Sequence, residues 1–181
     1  MPIPATEAAV IETFMRHLGA VRPDVVLGIG DDAALLRPQP GCELVQTTDA
    51  LVEGVHFLPH SAPRSLGHRA LAVNLSDMAA MGASPAWALL SLTMPAIDAA
   101  WLGEFATGFG NLARSHAVAL VGGNLSRGPL TVTVQLSGQV PARRSFATVA
   151  ASRSASAARP ISRRMASRAC RATRAAGSWP T

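Results

Sequence analysis

The chain has no lysine and no tyrosine among its 181 residues. Without lysine there can be no Walker A loop, which needs Gly-Lys-Ser/Thr, and no protein-kinase strand lysine, so the usual lysine grips on nucleotide phosphates are excluded. Only two cysteines are present, Cys42 and Cys170, far apart in unlike segments. That spacing indicates neither a disulfide framework nor a cysteine metal site, and it fits a reducing cytoplasm. The Met-Pro-Ile-Pro start lacks a basic, then apolar, leader, and no stretch reaches the ~18 apolar residues of a membrane span. A soluble cytoplasmic protein without membrane contact is expected.

Acids are missing from one region. Residues 1–142 hold seven arginines against all eleven acids, a net charge of −4, whereas 143–181 hold nine arginines and no acid, a net charge of +9. The overall charge of +5 and the pI of about 11.2 therefore belong to the tail. Clustered arginine can neutralise nucleic-acid phosphates. Phe146 and Trp179 are its only stacking residues and no reading motif accompanies them, which argues against a nucleic-acid partner. An Ala/Arg/Ser tract without an apolar stripe reads as disorder. Two units follow: a folded domain over 1–142 and a tail over 143–181.

Within the first unit, Thr6 and the apolar positions from Ala8 to Leu18 predict an N-capped helix closing at Gly19. Short extended segments are expected at 25–30 and 33–36 around a glycine-rich corner, then a strand at 44–47 with Thr48 and Asp49 at its end. A helix is expected from Pro63 to Gly82, a strand over 86–94, a helix over 98–116, and strands over 117–121 and 130–140. This order favours an α+β domain: a two-layer, mixed β-sheet with helices on one face.

Acidic residues stand in short motifs, Gly28-Ile-Gly-Asp-Asp32, Thr47-Thr-Asp49 and Asn74-Leu-Ser-Asp77. Carboxylate and hydroxyl oxygens suit a hard divalent cation such as Mg²⁺, which commonly shares its shell with substrate phosphates. Helical spacing puts Asp77 on the face of Ala70, Val73 and Met81, where a lone carboxylate needs a partner: an ion, an arginine or a backbone cap. In an extended Gly28–Asp32 segment, only one of Asp31 and Asp32 points to a shared site, and a plain turn with solvated acids is the alternative. Thr47, Thr48 and Asp49 can be metal donors or a strand-end cap. His56 follows closely enough to line the same cleft, or is a structural hydrogen-bonder. Gly122-Gly123-Asn124 reads as a tight turn whose N–H groups can hold a phosphate, or as an ordinary hairpin. His17, His60, His68 and His116 have no motif around them.

Taken in order, these motifs, with Gly54-Val-His-Phe, Leu71 to Ala83, Pro85-Ala-Trp-Ala-Leu and Val121-Gly-Gly-Asn-Leu-Ser-Arg-Gly-Pro, resemble the amino-terminal half of bacterial thiamine-monophosphate kinases. That family belongs with the aminoimidazole-ribotide synthetase and selenophosphate synthetase group, whose amino-terminal domains pair their sheets in a homodimer. The resemblance covers about residues 8–142. It implies Mg-assisted, in-line transfer from ATP to thiamine phosphate, giving thiamine diphosphate. Residue by residue it implies magnesium positions at Asp32, Thr47, Thr48, Asp49, Asp77 and Asn124. It also implies a thiamine-phosphate contact at His56 and a nucleotide contact at Gly123 and Asn124. Another ATP-dependent synthetase of the group, or a catalytically silent dimerisation and nucleotide-binding module, is the competing expectation.

Two departures stand out. The family usually has Asp at the position of Asn124, and an amide keeps an oxygen donor while removing a charge. After Pro141 the family continues with a second domain that supplies further ligands, and nothing in residues 143–181 resembles it. Read from suitable GC-rich codons in a shifted frame, Arg143 to Val149 and Arg159 to Cys170 can encode acid-bearing, glycine-rich continuations like the family's. The expectation is a frameshift product with little kinase turnover of its own. Sequencing the coding DNA checks this: one alternative frame near codons 141–143 should open into an acidic, periodic continuation of a chain of about 300 residues. Absence of such a continuation would make the tail a genuine basic extension.

Overall fold

The computed structural model describes residues 10, 11, 15 and 18–142. The expected first helix lies largely, and the Arg/Ala/Ser tract wholly, outside them. In chain order the elements are β1 (Val25–Leu27), β2 (Leu35–Leu36), β3 (Cys42–Val52), α1 (Pro63–Ala80), β4 (Ser84–Met94), α2 (Ala99–Ser115), β5 (Ala119–Arg127) and β6 (Thr131–Pro141). No helix among the described residues is long and apolar enough to cross a membrane.

β3 to β6 form one four-stranded sheet in the order β3-β6-β4-β5. The β3–β6 and β6–β4 pairs are antiparallel, and β4–β5 is parallel. A parallel pair needs a crossover, and α2 is that connection. β6 shows why one face is closed: Val132, Val134 and Leu136 are fully buried while Thr131, Thr133 and Gln135 between them are not. The register lines those apolar residues up with Leu51 of β3 and with Ala88, Leu90 and Leu92 of β4. Leu66, Ala70, Leu71 and Met78 of α1 and Leu102, Phe105, Phe109 and Ala113 of α2 pack on that row. The α+β, two-layer arrangement is thus a mixed sheet with both helices on one face.

α1 starts with Pro63 in its first turn, where a missing N–H costs nothing. α2 is capped by Asp98, whose Oδ1 accepts from the N–H of Ala100 (2.9 Å) and Trp101 (3.1 Å). The helices cross backbone against backbone. A Cβ on Gly67 would collide with the Phe105 carbonyl, and one on Gly108 with the Arg64 carbonyl, so both glycines are packing requirements.

Two strands run further than the residue pattern predicts. β3 continues to Val52 through an unbroken register with β6, so Thr47, Thr48 and Asp49 lie inside it rather than at its end. Aspartate is depleted in strands, yet β3 is an edge strand, where a solvated carboxylate is tolerated. β5 likewise continues to Arg127, so Gly122-Gly123-Asn124 is strand and not a turn.

The β1–β2 ribbon covers part of the other sheet face: Val25, Ala34 and Leu36 pack on Ala86, Trp87, Ala119 and Val121. A polar clamp holds it there. Arg22 donates through Nε (2.9 Å) and Nη2 (2.5 Å) to the two carboxylate oxygens of Asp24, and its Nη1 reaches the Ala117 carbonyl at 2.8 Å. The Trp87 indole donates to Asp24 Oδ1 at 3.0 Å, and the guanidinium lies 5.6 Å from a Trp87 ring centroid. Burial raises the Asp24 pKa, but the hydrogen bonds from Arg22 and Trp87 outweigh it and hold the carboxyl below its ordinary value.

A group with a depressed folded-state pKa adds stability above its unfolded value and loses it as pH falls toward the folded one. Acid just below the ordinary aspartate range should therefore loosen the ribbon and red-shift Trp87 emission, read with Trp101 and Trp179 replaced by Phe. Asp24→Asn should flatten that response. Identical acid profiles in the two proteins would show that the clamp is not the titrating element.

Candidate functional site

Pleating divides the donors that the motifs suggested. Thr47 and Asp49 pair with Leu136 and Val134, and Thr48 pairs with Gln135. Thr47 and Asp49 therefore point to the helix side, while Thr48 points to the open face beside Gln46, Gln135 and Ser137. On the helix side Thr47 Oγ1 donates to Asp77 Oδ2 at 2.7 Å, tying α1 to the edge strand. The partner that Asp77 needs is thus a hydroxyl from another motif.

Asp77 itself is exposed, in contrast to the expectation that it is buried among core residues. Its azimuth on the helix is close to that of Ala70, but it occupies the last turn, beside the edge strand β3 to which Thr47 ties it. The polar residue that α1 does bury is Asn74, at 0% exposure. Its Nδ2 donates to the Ala70 carbonyl at 3.1 Å, and its Oδ1 has no partner among the described residues. Nothing in the motif distinguished Asn74 from Asp77, because both fall within the helix's inward arc.

The second set gathers at β5. A cleft of about 630 Å³ on the open sheet face and another of about 510 Å³ on the helix side share Asp31, Asp32, Gly122, Gly123 and Asn124. The Gly28–Asp32 segment is not extended there. Gly30 has φ 120° and the chain turns, so both aspartates are exposed and both line the clefts, instead of one alone. Gly123, at φ 153°, sits where a Cβ would collide with the Leu90 carbonyl. Close approach of the β5 and β4 backbones explains this glycine.

His56 lines neither cleft. Its Nδ1 accepts from the Val52 N–H at 3.0 Å, which leaves the proton on Nε2, and the exposed ring presents that N–H to solvent.

β3 and β5 are opposite edges of the sheet, so Asp49 and Gly123 lie in one register row, three strand spacings or roughly 14 Å apart. Accordingly, among the described residues no three His, Cys, Asp or Glu side chains gather into a metal site. The oxygen donors form two half-sets, Thr47/Asp49/Asp77 and Asp31/Asp32/Asn124. Mg²⁺ ordinarily takes one or two carboxylates and keeps the rest of its shell for water and phosphate, so the donor chemistry of each set suits it.

Residues 30–140 match the family described as AIR synthase related protein, N-terminal domain. The chain is 46% identical over 140 residues to the thiamine-monophosphate kinase of Escherichia coli K12, covering 77% of this chain and 43% of that protein. A crystal structure of thiamine-monophosphate kinase from Stenotrophomonas maltophilia K279a superposes with a TM-score of 0.63 at 50% identity, over 66% of this chain and 38% of that one. The structure of AaThiL complexed with AMPPCP and TMP gives a TM-score of 0.55 at 36% identity, over 62% and 37%. The chain thus spans less than half the length of these relatives.

Gly123→Ala should cost about 2–4 kcal/mol, since the added methyl must displace strand backbone rather than a side chain. Thermal denaturation checks it, and a wild-type Tm would mean that β4 and β5 do not approach as described.

Proposed function

The chain belongs to the AIR synthase related protein family through its N-terminal domain, and on that premise we propose that residues 1–142 are the magnesium- and ATP-binding, dimer-forming half of a cytoplasmic thiamine-phosphate kinase. The observation that carries this reading is the meeting of Asp31 and Asp32 with Gly123 and Asn124 where two clefts join. Support also comes from the relatives, named as kinases of thiamine monophosphate, and from the neighbour solved with AMPPCP and TMP.

In this reading Asp32 and Asn124 at the β5 edge, and Thr47, Asp49 and Asp77 at the β3 edge, hold Mg²⁺, with Thr48 adding a hydroxyl on the open face of β3. The ions, when bound, neutralise phosphate charge and align the acceptor with the γ-phosphoryl group. The chain's own part is positional. Thr47 fixes the Asp77 carboxylate by donating to it, and Gly123, closely packed on the β4 backbone, holds the β5 edge beside Asn124 in place. His56 offers its Nε2–H to the phosphate of thiamine phosphate. The half-sets stand on opposite edges of one sheet, and a homodimer is the arrangement that brings an edge of one copy to its partner. A catalytically silent nucleotide-binding module is the second reading, favoured by the separation of the two half-sets.

Calorimetry with Mg-ATP tests the assignment. Weak binding is expected for the wild type, loss of magnesium-dependent binding for Asp49→Ala and Asp77→Ala with the circular dichroism retained, and a gain of about 1 kcal/mol for Asn124→Asp, which restores a charge. Wild-type-like isotherms in both alanine variants would remove the metal assignment. Formation of thiamine diphosphate separates a kinase from a silent module.

A further inference from the structure

A third cleft, of about 470 Å³, lies at the C-terminal ends of β4 and β5 and is lined by Met94, Pro95, Ala96, Ile97, Leu125, Ser126 and Arg127. Neither half-set of carboxylates contributes to it. The cleft opens where β4 leads into the crossover toward α2 and where β5 ends, at the edge of the sheet.

The chemistry of the lining is one cation over an apolar floor. Met94 is 5% exposed, and Ile97 and Leu125 are half-buried against the core. Register pairs Met94 with Arg127 and Leu92 with Leu125, so the Arg127 side chain leaves the strand on the same side as the floor. Arg127 is exposed and has no ion-pair partner among the described residues. Asp98, which follows the lining residue Ile97, has its Oδ1 engaged by the Ala100 and Trp101 N–H groups at the start of α2. A Gly128 N–H bond to the Met94 carbonyl, 3.1 Å, fixes the backbone on which the guanidinium is mounted.

We propose that this cleft is a metal-independent subsite for a phosphate monoester, with Arg127 holding the phosphate and Met94, Pro95, Ile97 and Leu125 receiving an apolar or aromatic body. An arginine fork matches phosphate oxygens two at a time, and a floor without carboxylates needs no cation to admit a dianion. Leu125 also lines the 510 Å³ cleft, so an ester seated on Arg127 lies about three strand residues, roughly 10 Å, from Asn124. The subsite uses none of the residues assigned to magnesium and stands independently of the kinase reading.

Titration of the ¹⁵N-labelled full chain with phenyl phosphate in EDTA, followed by amide shifts, tests the subsite. The expected result is saturable movement of Ile97, Leu125, Ser126 and Arg127, with weaker binding of inorganic phosphate, which cannot use the floor. Arg127→Gln should lower the affinity about tenfold, the loss of one charge-assisted contact, while leaving the rest of the spectrum in place. Asp49→Ala should leave this titration unchanged, which separates failure of the subsite from failure of the magnesium assignment. Shifts confined to the arginine-bearing residues after 142, a requirement for Mg²⁺, or equal affinity in Arg127→Gln would each overturn the proposal.

Discussion

Successive side chains of a strand face opposite sides of its sheet, and in this chain that constraint decides both what is core and what is site. On β6 it sends Val132, Val134 and Leu136 to the helices and Thr133, Gln135 and Ser137 to the open face. On β3 the same alternation sends Thr47 and Asp49 one way and Thr48 the other, because their partners across the ladder are already committed. A shift of one residue would carry Leu51 out of the core together with the carboxylate. The donors are therefore held in place by the burial of their apolar neighbours, and the Thr47–Asp77 bond adds a cross-tie between sheet and helix at the edge.

The closed face depends in turn on how near the helices come to each other. Gly67 and Gly108 allow carbonyls of the opposing helix to sit where side chains would be. That proximity brings both helices onto one face of the four-stranded sheet, whose outer strands are β3 and β5. Thr47, Asp49 and Asp77 gather at the β3 edge and Asp31, Asp32 and Asn124 at the β5 edge, while the 630 Å³ cleft spans the open face between them. The open face is polar at Gln46, Thr48, Ser91 and Gln135 but carries Leu89 at 37% exposure and, nearer the ribbon, Trp87.

How much of this was legible in the residues depends on the kind of signal. The helices and the core strands were, since their apolar spacing is long and Pro63 and Asp98 mark the starts. The acidic motifs were legible as separate oxygen-donor segments, because carboxylates beside glycine and threonine are chemically distinctive. Their geometry was not. A strand with Asp49 inside it looks finished at Thr47 by propensity, and a Gly-Gly-Asn triplet looks like a turn, until the ladder with β6 and the close β4 backbone supply the tertiary reason. Asp77 was placed on the right face and at the wrong depth, since helical periodicity gives an azimuth and says nothing of where the sheet ends. The Arg22–Asp24–Trp87 clamp left no local trace, for it joins residues 63 positions apart.

The charge distribution gives the proposed site its logic. Asp31 and Asp32 are exposed neighbours at the mouth of both clefts, and no lysine exists anywhere in the chain to offset them. Among the described residues lining the two clefts there is no arginine to fill that role either. A polyphosphate approaching this mouth alone meets repulsion. On the reading proposed above, a divalent cation reverses the sign of the interaction, so that two aspartates which repel a bare nucleotide attract its metal complex. Asn124 softens that switch, since an amide ligates but does not add to the negative field. On that reading nucleotide affinity is conditional on the cation.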